Sequence, residues 1–220
     1  YTVYCSAKSY PHRQSVYKNA DLKYVPLDAN GSQSILYDIV SLIKATKKSD
    51  VILILGVSGC CFLPIYRLFL KKRLVINIDG LEHRREKWGK YAKAFLKFSE
   101  KMAVKYADAV IADNKGIQDY VREEYGKEAE LIAYGGDHVL CDIADVEEQI
   151  LEKYGLKNIC YSFSLCRIEP ENNVHVILEA FKASGKELFF VGNWNRSTYG
   201  KYLLEKYAGY GNIHLLSPIY

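Results

Sequence analysis

Paired-cysteine motifs, long apolar runs and charge of one dominant sign are all missing from this 220-residue chain. The longest uncharged apolar stretch, Val51 to Ile65, is broken by Gly56, Ser58, Gly59 and Pro64 and falls short of the ~20 apolar residues that a spanning helix needs. It predicts instead a fully buried strand, a glycine-containing turn and a helix. No signal peptide precedes the first strand and the first residue is Tyr1, so the chain reads as soluble and cut at both ends. None of the six cysteines, Cys5, Cys60, Cys61, Cys141, Cys160 and Cys166, forms a C-x-x-C pair, and no histidine sits near them at zinc spacing. Reduced, buried cysteines in a cytosolic protein are the expectation. A net charge of +4 is weakly basic for a chain of this size and does not suggest a nucleic-acid binder, which would need a concentrated patch. The absence of G-x-G-x-x-G, P-loop, G-x-S-x-G and H-E-x-x-H strings argues against a dinucleotide dehydrogenase, a nucleoside triphosphatase, an α/β-hydrolase and a zinc protease.

What is present is a rhythm. With 49% hydrophobic residues the chain can bury a substantial core. The strand-like runs YTVYCSA, LKYVPLD, VILILG, LVINID, ADAVIADN and AELIAYGG alternate with segments whose apolar residues recur at helical spacing, such as Ile35, Leu36, Ile39, Val40, Leu42 and Ile43. Ser32 or Ser34 is placed to cap that helix, and the helix after LVINID is expected from about Glu86 to Tyr106. A polar connector follows, and the rhythm restarts with ICYSFSL, VHVILEAFKAS, ELFFVGN, TYGKYLLEKYAG and NIHLLSP. Strands apolar on both faces and alternating with helices predict an α/β architecture: two Rossmann-like, doubly wound parallel-sheet domains, the second incomplete. The boundaries read as 1–136 for the first domain, 137–157 for the connector and 158–220 for the second.

Ligands of open α/β sheets bind beyond the carboxyl ends of the strands, so the loops there carry the chemistry. LVINI delivers Asp79-Gly80 and then Glu82, Arg84, Arg85 and Trp88. Gly80 permits a tight turn or close backbone approach, and paired arginines suit phosphate or carboxylate. The alternative is a solvated loop whose charges pair among themselves. In the second half, Arg167 stands at a strand end before Asn172 and Asn173, either of which is suited to cap the next helix. Gly192 ends the following strand, as a close-approach glycine or a plain turn. Gly135-Gly136 closes the first half and suits a hinge or a turn. Lys90, Lys93, Lys97, Lys101 and Lys105 form one basic stripe, largely opposed by Trp88, Tyr91, Phe95 and Met102 with Phe98 flanking. Such a helix suits an anionic membrane surface, or it packs its apolar side on the sheet and leaves the lysines in water.

The run from ADAVIADN through ELIAYGGD, with SLCRIEPENNVHVILEAF and FFVGN, resembles glycosyltransferase family 4. The string NIDGLEHRREKWGKYAKAFLKFSEKMAVKYADAVIADN is similar to bacterial polysaccharide rhamnosyltransferases, and the likeness covers nearly the whole chain. The resemblance implies the GT-B fold and a retaining hexosyltransferase without a bound metal or cofactor. It implies a nucleotide-sugar donor, dTDP-L-rhamnose by closest likeness, and a glycan or lipid-linked sugar acceptor in surface polysaccharide synthesis, on the cytoplasmic side and peripheral to the membrane. By the same resemblance Asp79 stands beside the reacting sugar, where many family members carry a histidine, and Arg167 contacts the donor diphosphate with Asn172 and Gly192. Gly80, Glu82, Arg84, Arg85 and Trp88 then face the acceptor. Asn172 replaces a lysine common in the family, and the glycine-rich loop and the E-x7-E segment fall outside the chain, so this fragment by itself is expected to be inactive. A non-catalytic sugar- or phosphate-binding module, or a sugar-nucleotide epimerase of the same fold, are the competing readings.

Overall fold

The computed structural model describes residues 1–10, 12–137, 140, 148, 152–156 and 159–218. Most of the expected connector, 137–157, and Cys141 lie outside the described residues. The chain divides into two compact units, Tyr1–Gly135 and Gly136–Tyr220.

In the first unit, β1 (Thr2–Ser6) pairs in parallel with β3 (Ala20–Val25), and β2 (Val16–Tyr17) lies antiparallel on the other side of β3. The two-residue turn between β2 and β3 holds Lys18 at φ 45° and Asn19 at φ 65°. Positive φ at both central positions is what the twist of a tight hairpin demands, and Asn tolerates it. The remaining strands form a four-stranded parallel sheet: β4 (Val51–Leu55), β5 (Arg73–Ile78), β6 (Ala109–Ala112) and β7 (Glu130–Leu131), in that order. Helices α1 (Ser34–Thr46), α2 (Leu63–Phe69), α3 (Lys90–Tyr106) and α4 (Lys115–Tyr125) connect successive strands.

Local chemistry sets the ends of these helices. Asn114 accepts from the Ile117 amide at the start of α4, and Gly126 takes the left-handed conformation at its end. Gln33, not a serine side chain, precedes α1, and Ser34 turns its hydroxyl back to the Gly31 carbonyl. Helix α3 starts at Lys90, four residues later than its periodicity predicts, because the chain before it is held as a turn by Glu82, described below.

Leu74, Ile76 and Ile78 of β5 are fully buried and pack with Ile52, Leu63, Tyr66, Val104, Val110 and Val121. Strand β4 is not fully buried as its composition suggests. Its side chains alternate across the pleat, and only one face meets this core, so Val51, Leu53 and Leu55 remain 51%, 55% and 72% exposed. The cysteines depart from expectation as well. Of the five described, all are free thiols and only Cys60 is buried, while Cys160 is exposed.

The second unit repeats the pattern with β8 (Tyr161–Leu165), α5 (Val174–Ser184), β9 (Glu187–Val191), α6 (Thr198–Tyr207) and β10 (Ile213–Leu216). Its sheet is parallel in the order β10-β9-β8. Ile168, Val174, Leu178, Leu188, Phe190, Trp194, Leu203 and Tyr207 make its core. The fold is therefore α/β, with parallel strand pairing and connecting helices everywhere but at the β2–β3 hairpin. No described helix is long and apolar enough to cross a membrane.

Candidate functional site

Strands β5 and β6 end side by side and deliver Asp79 and Asp113 to the carboxyl edge of the first sheet. Asp79 is solvent-exposed, yet partial desolvation raises its carboxyl above the usual value. The charges of Glu82 and Asp113 push the same way and Arg85 opposes them. Gly80 does not serve the purpose expected of it. Its φ is ordinary and a Cβ there would meet nothing within 4 Å, so neither a tight turn nor a close approach requires glycine.

The charges that follow turn inward on one another. Arg85 Nη1 donates to Glu82 Oε1 at 2.8 Å, Trp88 Nε1 donates to Glu82 Oε2 at 3.3 Å, and Lys87 lies 3.7 Å from the same carboxylate. Desolvation works to raise the Glu82 carboxyl, but these hydrogen bonds and charges outweigh it and leave it below its ordinary value. The Arg84 guanidinium sits over the Tyr120 ring at 5.1 Å. Glu82, Arg85 and Trp88 are thus brought together, with Arg84 braced on α4.

This loop is anchored by two residues that strand-end reasoning passes over, His83 and Glu100. Glu100 of α3 is 1% exposed. Its Oε2 lies 3.1 Å from His83 Nδ1, and its Oε1 accepts from the hydroxyls of Tyr120 at 2.6 Å and Tyr125 at 2.5 Å. Lys97 adds a cation 3.5 Å away, donates to the Tyr120 hydroxyl and pairs with Glu124 at 2.9 Å. A carboxylate is tolerated at that depth because every lone pair in use has a donor. Burial, then the hydrogen bond to Glu100, raises both tyrosine hydroxyls above their ordinary value, Tyr125 by the larger margin. The sequence signal was present: an acid inside an otherwise apolar and basic helix, on the face that meets the sheet.

In the second unit, β8 and β9 end at Cys166-Arg167 and Gly192-Asn193. Together with Arg196 and Ser197 they rim a cavity of about 1010 Å³. Its floor is the open side of the sheet, with Phe163 and Leu165 beside Phe189 and Val191. Arg167 and Arg196 are both exposed, and neither has a carboxylate partner among the described residues. Asn172 does not cap a helix. Its Nδ2 donates to the Arg167 carbonyl at 2.7 Å and shapes the loop that carries the arginine. Asn173 precedes α5 at φ 53° and makes no side-chain cap. Gly192 is a close-approach glycine, but toward its own fold: a Cβ would sit 2.4 Å from Ile168 Cδ1. Arg196 is the residue that the sequence reading missed, although it follows a strand end just as Arg167 does. Among the described residues no group of His, Cys, Asp and Glu is arranged to hold a metal ion.

Comparison with known proteins adds the following. No curated protein matches the chain. Among solved structures, HepE from Anabaena in complex with UDP and glucose superposes with a TM-score of 0.69 at 14% identity, over 90% of this chain and 56% of HepE. The catalytic domain of starch synthase IV from Arabidopsis thaliana, bound to ADP and acarbose, gives 0.61 at 12% identity, over 92% and 58%. A structure described as a UDP-N-acetylglucosamine 2-epimerase from Listeria monocytogenes gives 0.52 at 17% identity, over 91% and 56%. The chain thus spans a little over half the length of these structures and shares the fold of GT-B glycosyltransferases and epimerases. Residues 1–137 match the family described as a domain of unknown function, DUF1972, and the chain belongs to that family.

Proposed function

We propose that this chain is part of a glycosyltransferase that moves a sugar from a nucleotide donor to a glycan or lipid-linked acceptor, with dTDP-L-rhamnose as the donor. One observation carries the reading. Two exposed arginines with no carboxylate partner among the described residues, Arg167 and Arg196, follow the carboxyl ends of adjacent parallel strands on the rim of a cavity of about 1010 Å³. That is where an open α/β sheet takes its ligand, and guanidinium groups match a diphosphate in charge and geometry. In the transfer step the bond from sugar C1 to the diphosphate oxygen breaks and a bond from C1 to the acceptor hydroxyl oxygen forms. The hydroxyl proton leaves with the diphosphate. Arg167 and Arg196 lower the barrier by offsetting the charge that builds on the leaving group. The DUF1972 unit supplies Asp79 and the braced Arg84 to orient the acceptor and the sugar. The choice of rhamnose rests on the likeness of the DGLEHRREKW string to rhamnosyltransferases.

Titration calorimetry of the chain with dTDP and UDP tests the site. Each charge-assisted bond to phosphate is worth ~1.5–3 kcal/mol, so Arg167→Ala or Arg196→Ala should weaken binding by about 10- to 100-fold. Loss of nucleotide selectivity for diphosphates, or unchanged affinity in both variants, defeats the assignment. Interconversion of a UDP-sugar without any acceptor, by a protein carrying this chain in full, would favour the epimerase reading over transfer.

A further inference from the structure

The C-terminal end of α1 and the paired strands β1 and β3 enclose a recess of about 300 Å³ in the first unit. Lys44, Lys47 and Lys48 line it from the end of the helix, Lys23 lines it from β3, and Tyr4 stands beside Lys23 as its register partner on β1. All four lysines are exposed, and among the described residues none of them has an ion-pair partner. No carboxylate is among the described residues that line the recess. Lys44 is three and four residues from Lys47 and Lys48, so these three charges share one side of the helix end and repel. The helix dipole accounts for lysines in the last turn. It does not account for Lys23, which a strand brings to the same place. Burial lifts the Tyr4 hydroxyl above its ordinary value, so it remains a neutral donor. Because α1 ends where β4 begins, the recess lies toward the amino ends of the strands, away from the edge that carries Asp79 and Asp113.

We infer that this recess is a second anion site, which takes a compact phosphate carrying several charges, such as a diphosphate, through Lys23, Lys44, Lys47 and Lys48. Ammonium groups donate hydrogen bonds and accept none, so every lysine here calls for an acceptor. Like charges that converge on one concavity repel one another, and a polyanion seated among them turns that repulsion into attraction. The concavity also selects the size of the ligand. A small phosphate enters it and meets charges from a helix and from a strand at once, whereas a flat anionic surface meets only the charges on its rim. The inference goes beyond the nucleotide-sugar reading and does not depend on it, because the recess shares no residue with the rim that carries Arg167 and Arg196.

The test is calorimetric titration of the 220-residue chain with inorganic pyrophosphate, in a background of Arg167→Ala and Arg196→Ala so that the second unit does not contribute. Binding is expected, and it should weaken steeply as salt screens the lysines. An exposed charge pair contributes up to about fivefold, so Lys23→Gln, Lys44→Gln and Lys47→Gln together should weaken binding by between about 10- and 100-fold. Lys90→Gln, Lys101→Gln and Lys105→Gln remove the same charge elsewhere on this unit and should leave the affinity within about threefold. The recess lysines are exposed and repel one another, so their triple variant should melt no earlier than the parent. It should also lose the rise in Tm that pyrophosphate gives the parent. If the triple variant melts early, Lys23→Gln alone makes the comparison, with a loss of about three- to fivefold. Phosphatidylglycerol vesicles are the second probe: if they, and not pyrophosphate, require the recess lysines, a lipid surface is the partner and the inference falls. Absence of pyrophosphate binding, or equal losses in the two triple variants, likewise overturns it.

Discussion

Replacing Glu100 by Gln tests how the Asp79–Trp88 loop is held. The substitution keeps the shape and one carbonyl oxygen, so the hydroxyls of Tyr120 and Tyr125 retain an acceptor. It removes the charge, leaves an amide facing His83 Nδ1 at a site now 3.1 Å from a carboxylate oxygen, and strips Lys97 of its counter-charge at 3.5 Å. Lys97 keeps Glu124 at 2.9 Å, so its loss is partial. The main deficit is one charge-assisted hydrogen bond in a site with 1% exposure, ~1.5–3 kcal/mol. Glu100→Ala adds two orphaned tyrosine hydroxyls and a cavity, for a total of ~3–5 kcal/mol. A loss of 2 kcal/mol corresponds to a Tm lower by ~4–8 °C in a protein of this size. Calorimetry reads the total, and the two units are fitted as separate transitions because they need not melt together. Amide exchange reads the location. The Arg84 amide donates to the Leu81 carbonyl at 2.8 Å and the Arg85 amide to the Glu82 carbonyl at 3.2 Å. If His83 pins this turn through Glu100, those two amides should lose more protection than the amides of β5. A Tm for Glu100→Gln within 1 °C of the parent, or a uniform loss of protection across the unit, would refute the view that the buried carboxylate positions the loop.

Asp108 accepts from the Leu74 amide and from Arg67 Nη2, both at 2.7 Å, and these bonds hold its carboxyl below the ordinary range. A depressed carboxyl stabilises above its unfolded value and loses that contribution as pH falls through its folded one. Asp108→Asn should therefore melt below the parent near neutrality and converge with it in acid, by a small margin because Asp108 is half exposed. Gly200→Ala places a Cβ 2.3 Å from the Trp194 carbonyl oxygen and should destabilise the second unit by ~1–3 kcal/mol in urea unfolding. Asp79→Asn removes a carboxylate whose charged form its surroundings disfavour, so stability at neutral pH should hold or rise slightly. Sugar transfer by a protein carrying the whole of this chain should nonetheless fall by about 100-fold, ~3 kcal/mol of transition-state stabilisation. Transfer within a few-fold of parent would remove Asp79 from the reaction.

Period and punctuation alone established the alternation of strands and helices. The apolar run of β5, the helical spacing of Ile35, Leu36, Ile39, Val40, Leu42 and Ile43, and Arg167 at a strand end are properties of neighbours along the chain, which a sequence displays directly. Composition could not say which face of a strand meets the core, so β4 read as wholly buried although Leu53 and Leu55 are exposed. The hairpin strand β2 is two residues long and offers no period to detect. Partners far apart in sequence were beyond reach for the same reason. Glu100 meets His83, Tyr120 and Tyr125 only because α3 and α4 pack side by side on the sheet. That packing turned an apparent cluster of free charges after Asp79 into a self-paired loop. It also decided that Tyr91 and Phe98 of α3 stay exposed, while Leu96, Ser99, Ala103, Val104 and the hydrogen-bonded Glu100 are the residues it buries.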